Sequence, residues 1–300
     1  MQQIEETRCD LCGGQVFRPQ YMMPDRISKG GAFRIVRCGG CGLIFVHPRP
    51  PEKEMGRYYP DAYESYYPRT GFKRLVKSMF LFSDARRIRR IVGSAARILD
   101  VGAGAGEDAA FLRDRGRFRV EATDVNVFAA AQAKRYFHLE VRVGSLHSLG
   151  LQEAAYDLVR MRYVLSHVYS PRRTLAEAHR ILKPGGWLVL WVPNADSWSW
   201  YLFGKHWEGG EAPRHLFSFS PKTLARYLAD AGFSIVSLRQ GIVPNTFIHS
   251  VRNLLEVLGA PQFVRRLFTL NPLMLAIFLP VSLAAALAGK SDRIMVIARK

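Results

Sequence analysis

The run Ile98-Leu99-Asp100-Val101-Gly102-Ala103-Gly104-Ala105-Gly106 constrains this chain more than any other segment. A short, mostly apolar stretch, glycine at every second position and a helix-forming run over 107–113 read as a buried strand, a tight turn and a helix start. Glycines at that spacing let a ligand approach the backbone with no Cβ in the way. Asp124 then closes the strand-like run Phe118-Arg119-Val120-Glu121-Ala122-Thr123. A glycine turn at one strand end and a carboxylate at the next suit a nucleoside, held by backbone at one end and by its ribose hydroxyls at the other.

The spacing narrows the ligand. A dinucleotide fingerprint reads G-x-G-x-x-G. Here the third glycine comes one position early, and Glu107 puts a negative charge where a pyrophosphate would sit at the helix N-terminus. The pocket therefore suits a nucleoside without phosphates. Asp100-x-Gly102-x-Gly104-x-Gly106 resembles the first motif of class I methyltransferases that use S-adenosyl-L-methionine (SAM), and Asp124 matches that family's ribose-binding acid. The resemblance implies cofactor contacts from Asp100, Gly102, Ala103, Gly104, Gly106, Asp124 and Val125. It adds Ser145 and Leu146 after the third strand and Arg162 after the fourth.

The family's later motifs follow in order. Tyr156-Asp157-Leu158-Val159 is the fourth strand, and Val164-Leu165-Ser166-His167-Val168 is the loop after it. Lys183-Pro184-Gly185-Gly186 reads as a turn into the fifth strand, because proline stops a helix and glycine supplies positive φ. Two positions depart from the family pattern. Gly144-Ser145-Leu146 lacks the acid often found near the adenine, and Ser166 stands where Glu often precedes the histidine.

Strand patterns at 97–101, 119–123, 140–143, 156–161, 186–192, 233–238 and 293–298 alternate with helical ones. That is an α/β chain with a doubly wound, mostly parallel sheet. The resemblance implies a Rossmann-like sheet of seven strands with the last antiparallel. The expected organisation is a ribbon over 1–50, an aromatic and basic helical linker over 51–96, and the methyltransferase domain over 97–300 with an apolar helical insertion at 242–290.

All four cysteines lie early, as Cys9-x-x-Cys12 and Cys38-x-x-Cys41, each pair followed by a glycine. Two such knuckles predict a zinc ribbon with four thiolate ligands and a hairpin in the gap. Four ligands close the coordination sphere, so the metal is given no catalytic role. A redox pair, buried free thiols or an iron–sulfur cluster are the competing readings. Such a ribbon before this domain resembles that of a subset of sugar and small-molecule methyltransferases.

Methyl transfer needs a base only when the acceptor is a hydroxyl or a carbon acid. The polar and aromatic run over 207–220 is similar to the histidine loop of zinc-ribbon sugar C-methyltransferases, and His215 is the matching base. Arg214 is a candidate clamp for a phosphate or carboxylate; the bland alternative has the His-Arg pair capping the helix after Ser220-Pro221. His167 is a second candidate base. Tyr58, Tyr59, Tyr63, Tyr66 and Tyr67 either pack the ribbon on the next domain or ring the entrance to the site.

The net charge of +18 calls for an anionic partner, unless arginine is simply the default surface residue. In the helical pattern over 72–80, Phe72, Leu75, Val76, Met79 and Phe80 fall on one face, opposite Lys73, Arg74 and Lys77, which reads equally as a membrane-surface helix or as a helix docked on the core by that apolar face. The apolar run over 273–288 is too short to span a bilayer and is interrupted by Pro280. It must return to the side it left, as an interfacial hairpin, a homodimer contact or a lid. Arg265, Arg266 and Lys290 flank it as snorkelling cations would. A polar opening segment without a secretory leader points to the cytoplasm, with peripheral attachment to the inner face of an anionic membrane. The favoured function is SAM-dependent methylation of a sugar, a sugar nucleotide, or a lipid-linked glycan or isoprenoid. The second reading is an RNA methyltransferase, with nucleic acid disfavoured because the fifth strand ends Val192-Pro193-Asn194. The third is a non-catalytic, SAM-binding interaction module.

Overall fold

Ile98 and Leu99 are wholly buried, and the strand they form lies in the middle of the molecule. The protein is described by a computed structural model covering residues 5–300; Met1 to Ile4, the start of the polar opening segment, lie outside the described residues. In chain order, β1 (Phe17–Pro24), β2 (Ala32–Cys38) and β3 (Ile44–Val46) come first. Two 3-10 turns (Glu52–Tyr58 and Glu64–Tyr66) lead to α1 (Gly71–Val92). Then come β4 (Arg97–Val101), α2 (Glu107–Asp114), β5 (Arg119–Asp124), α3 (Val127–Phe137), β6 (Val141–Val143) and β7 (Tyr156–Arg162). After these follow α4 (Pro171–Ile181), β8 (Leu182–Pro193), α5 (Trp198–Phe203), β9 (Phe217–Ser218), α6 (Pro221–Asp230) and β10 (Ser234–Gln240). The chain ends with α7 (Pro244–Val257), α8 (Gln262–Leu267), α9 (Pro272–Leu287) and β11 (Arg293–Arg299).

Seven strands form one sheet in the order β10-β11-β8-β7-β4-β5-β6. Pairs β4–β5, β5–β6, β4–β7 and β7–β8 are parallel; β11 is antiparallel to both its neighbours. All seven expected strands are present. The strand order reverses between β4 and β7, which opens a crevice at their carboxyl ends. The helices form for local reasons. Ser170 caps α4 with Pro171 in its first turn, and its Leu175, Ala178 and Ile181 are buried. Ser220 and Thr223 make a reciprocal capping box on α6, so His215 and Arg214 take no part in starting that helix.

Three expectations need correction. Lys183-Pro184-Gly185-Gly186 is not a turn ahead of the fifth strand. Its partners Leu182 and Trp187 already pair with Tyr156 and Leu158, so these residues loop out within β8, with Gly185 at φ 73°. Helix α1 does not dock by the apolar face read from 72–80. Its buried residues are Leu81, Asp84, Ala85 and Ile88, whereas Phe72, Leu75 and Met79 are exposed. Lys290 is not a free flanking cation, because Asp196 holds its ammonium at 2.8 Å.

The N-terminal strands build a second sheet, ordered β1-β2-β3-β9. Its fourth strand comes from far along the chain: Ile44 and Phe45 pair with Ser218 and Phe217. The ribbon sheet is thereby completed by the segment that carries His215.

Candidate active site

The three glycines of the turn all have positive φ, between 56° and 79°. A Cβ on Gly102 would strike the Val164 side chain at 2.4 Å, and one on Gly106 would strike Ala133 and Leu139. Those two glycines let the turn pack against β7's loop and α3. Gly104 differs, because its Cβ position would meet only the Ser65 carbonyl, at 3.3 Å. The Gly104 amide donates to Asp124 Oδ2 at 2.8 Å, and the Asn126 amide to Oδ1 at 2.8 Å. Burial nevertheless raises the Asp124 carboxyl above its usual range. The Gly144 amide donates to the Asp124 carbonyl, which brings Ser145 and Leu146 beside β5. Leu146 is buried in the core, Ser145 is half-buried and Val125 is exposed. The carboxyl ends of four neighbouring strands thus gather Gly102, Ala103, Gly104, Gly106, Asp124, Ser145 and Arg162. The chemistry fits SAM: Asp124 would accept from its ribose hydroxyls beside the Ser145 hydroxyl, whereas the amides of Ala103 to Gly106 are spent within the protein, on Thr123, Asp124, Ser65 and Ala103.

Asp100 is engaged elsewhere. Its Oδ1 accepts from Arg160 Nη1 at 2.8 Å in a site closed to solvent. Arg160 also donates to Asp84 (3.2 Å) and Asp108 (2.8 Å). Arg162, expected at the cofactor, spends Nη1 on Asp108 at 2.6 Å. Lys77 completes the network with Glu107 and Asp108. Burial pushes Asp84 and Asp100 up, whereas Asp108 faces Arg162, Lys77 and Arg160 and is held well below the carboxylate range despite its burial. These charges tie α1, β4, α2 and β7 together around the glycine turn. Arg160 was the legible signal: a cation inside the apolar run Leu158-Val159-Arg160-Met161 must find buried partners.

The second cluster lies where the 207–220 loop meets the loop after β7. The His167 and His215 rings are 4.5 Å apart, edge to face, and both are half-buried. His215 Nδ1 lies 2.8 Å from the Gly209 carbonyl. The Glu211 amide also approaches Nδ1, at 3.3 Å; the shorter contact is to a carbonyl, which only accepts, and it favours the tautomer with the proton on Nδ1 and the lone pair on Nε2. His167 Nδ1 lies 2.9 Å from the Tyr59 hydroxyl, which can donate or accept, and the Arg214 backbone lies beside the ring. Desolvation lowers both histidines, His167 further because His215 and Arg214 lie beside it. Tyr59, Tyr63 and Tyr66 continue the row, with ring centroids 5.5 and 5.3 Å apart. Tyr63 donates to Glu211 at 3.2 Å, and Tyr66 accepts from Asn126 at 2.7 Å. The tyrosines therefore join the histidine pair to the Asp124 corner.

Arg214 is unsuited to the clamp suggested by sequence. It is wholly buried and donates from Nη1 to Asp25 (3.0 Å) and to the Tyr58 carbonyl (2.8 Å). Asp25 also accepts from the amides of Ile27, Ser28 and Gly30. Burial opposes ionisation of Asp25, but the Ser28 hydroxyl, the Gly30 amide and Arg214 hold its carboxyl below the usual range. The pair rivets the β1–β2 hairpin to the His215 loop.

The four cysteine sulfurs lie within 4.8 Å of one another. The Cys9–Cys41 and Cys12–Cys38 pairs are each 3.5 Å apart. Tetrahedral zinc with Zn–S of about 2.3 Å sets sulfurs about 3.8 Å apart, so the cluster is compatible with the ion. Both knuckles share one backbone pattern: Gly13 and Gly42 donate to the carbonyls of Cys9 and Cys38. Burial raises Cys9 and Cys41, whereas amides of Cys41 and Gly40 bring Cys38 down to about 7 despite burial.

A family profile described as a methyltransferase domain matches residues 63–238. The chain belongs to this methyltransferase family. Among its relatives, a ubiquinone/menaquinone biosynthesis C-methyltransferase of Rubrivivax gelatinosus is 31% identical over 37% of this chain and 46% of that protein. A ubiquinone biosynthesis O-methyltransferase of Burkholderia pseudomallei is 25% identical over 48% of this chain and 66% of that protein. The chain spans about half or less of the length of several curated relatives it matches. A solved SAM-dependent methyltransferase from Methanosarcina mazei shares the fold at a TM-score of 0.50 and 20% identity, covering 71% of this chain and 96% of that one. The methyltransferase profile includes Tyr63 and Tyr66 of the tyrosine row, the glycine turn and both histidines.

Proposed function

We propose that this methyltransferase-family chain transfers a methyl group from SAM to a small acceptor, with His215 as the base. SAM, when bound, supplies an electrophilic methyl on a sulfonium. The observation that carries the reading is the placement of His215: both its hydrogen-bond contacts, the Gly209 carbonyl at 2.8 Å and the Glu211 amide at 3.3 Å, fall on Nδ1, and Nε2 has no partner among the described residues in a partly desolvated pocket. That nitrogen would take a proton from an acceptor hydroxyl or acidic carbon. His167, held at Nδ1 by Tyr59, is a positioning residue that sets the His215 ring edge. The Asp124 corner orients the cofactor, and the tyrosine row excludes water between the two clusters. The four-cysteine cluster holds zinc as a structural ion; metal analysis is expected to find one zinc per chain and none in Cys38→Ser.

The acceptor class favoured is a sugar, sugar nucleotide or lipid-linked glycan or isoprenoid, met at a membrane face. Support comes from the insertion, which sits against the acceptor loop: Glu208 of that loop contacts His249 and Asn253 of α7. The test is methyl transfer from labelled SAM to a panel of such acceptors. His215→Gln is expected to lower kcat by about 10²–10⁴-fold while binding of S-adenosylhomocysteine is retained. A variant as active as the parent overturns the assignment.

A further inference from the structure

Between residues 69 and 97 the chain carries nine basic residues and one acid, Asp84. The fold sorts them. Arg69 and Lys73 pair with Glu64, Lys77 with Glu107 and Asp108, and Arg97 with Glu121. Arg89 donates to the Gly116 carbonyl, and Arg87 has Asp84 only at 3.7 Å. Arg74, Arg86 and Arg90 have no carboxylate partner among the described residues.

Two of those three, Arg86 and Arg90, converge with Arg87 and Arg239 on one cleft of about 340 Å³ that also presents the hydroxyls of Ser83 and Ser237. No carboxylate lines it. The convergence follows from element geometry. Arg86 and Arg90 are four apart on α1 and share one side of it. Ser237 and Arg239 are two apart on β10 and share one face of the sheet. Arg239 likewise has no carboxylate partner among the described residues. Arg87 is partly compensated, by Asp84 at 3.7 Å and by the Met295 sulfur at 3.0 Å. The other three guanidinium groups, of Arg86, Arg90 and Arg239, share the concavity with no carboxylate partner among the described residues, which favours an anion among them. Guanidinium forks match phosphate oxygens two at a time, and the cleft has room for roughly eleven waters' worth of ligand.

The cleft is separate from the cofactor corner. β10 lies four positions from β4 in the sheet, about 19 Å at ~4.8 Å per strand. We propose that it is a second binding site, for a group carrying two or more phosphate charges, either free in solution or as the headgroup of a phospholipid. The site stands whether or not the chain methylates the acceptors suggested above.

The test titrates inorganic pyrophosphate into the full chain by calorimetry. A parallel arm pellets the chain with phosphatidylcholine vesicles containing phosphatidic acid. The parent is compared with Arg86→Gln/Arg90→Gln/Arg239→Gln and with Lys222→Gln/Arg226→Gln, which alters exposed cations of α6. We expect one pyrophosphate per chain, weakened at least tenfold in the triple variant and unchanged in the control, with melting temperature and circular dichroism retained. If the triple variant unfolds, Arg239→Glu alone is expected to give the same loss. Loss of vesicle binding in the triple variant, without pyrophosphate binding by the parent, assigns a headgroup; loss of pyrophosphate binding alone assigns a soluble ligand. A parent that binds neither probe, or a triple variant that binds both as the parent does, overturns the proposal.

Discussion

The partner at Nδ1 separates the two histidines. Both are depressed by desolvation, so both are neutral at neutral pH, but His167 faces a hydroxyl that can donate or accept, whereas the 2.8 Å contact of His215 is to a carbonyl that only accepts and favours a lone pair on Nε2. The sign of the pH dependence follows. A base works in its deprotonated form, and its pKa lies below the ordinary histidine value of about 6.5. The proposed activity should therefore be flat through neutrality, with an acidic limb in kcat/KM that begins below about pH 6.5. His167→Gln should lower kcat yet leave that limb in place. A limb centred above pH 7 would contradict the assignment. At this scale the sequence was informative where residue type alone dictates chemistry: glycines at a turn, an acid at a strand end, four cysteines in two knuckles. It was uninformative about Arg214 and Asp100, because whether a charged group faces a ligand or a buried counter-ion depends on partners 60 or more residues away.

At the scale of elements, the central strands β4, β7 and β8 were legible because each buries a short apolar run, and their parallel pairing follows from βα alternation. Two features were not. The looped-out residues within β8 look like an ordinary helix-to-strand turn in sequence, and only pairing with β7 reveals that the strand has already begun. The two-residue β9 has no periodicity to read, yet it joins the ribbon to the His215 loop. The Asp25–Arg214 pair shares that task, with both side chains wholly buried. Removing one partner leaves an uncompensated charge, which costs about 3–5 kcal/mol. Asp25→Ala should lower unfolding stability in urea by that amount. It should also speed hydrogen exchange across 210–220 more than in β4. Exchange that rises equally in both would mean a general loss of stability and no specific link between ribbon and loop.

For the molecule as a whole, the insertion poses the largest imbalance. Helix α9 is apolar on every side but buries only one seam, at Met274, Ser282 and Ala285. Leu273, Ile277, Leu283 and Leu287 remain exposed, as do Phe263 and Leu267 of α8 and Leu258 after α7. A helix apolar all round is normally covered. No helix among the described residues is long and apolar enough to cross a membrane, and β10 pairs with β11, so the chain returns to the side it left. Arg252, Arg265 and Arg266 lie beside the apolar surface; Glu256 pairs with Arg265 at 3.4 Å, and near an anionic bilayer each of the other two cations is worth about 1 kcal/mol. A bilayer matches that combination of an apolar face and a basic border better than a second copy, which would bring like charges together. Vesicles of phosphatidylcholine with phosphatidylglycerol should pellet the chain, and Leu283→Asp/Leu287→Asp should reduce pelleting at least tenfold without lowering the melting temperature. A parent that ignores vesicles but forms a dimer in sedimentation velocity, abolished by the same pair of substitutions, would assign the face to a second copy.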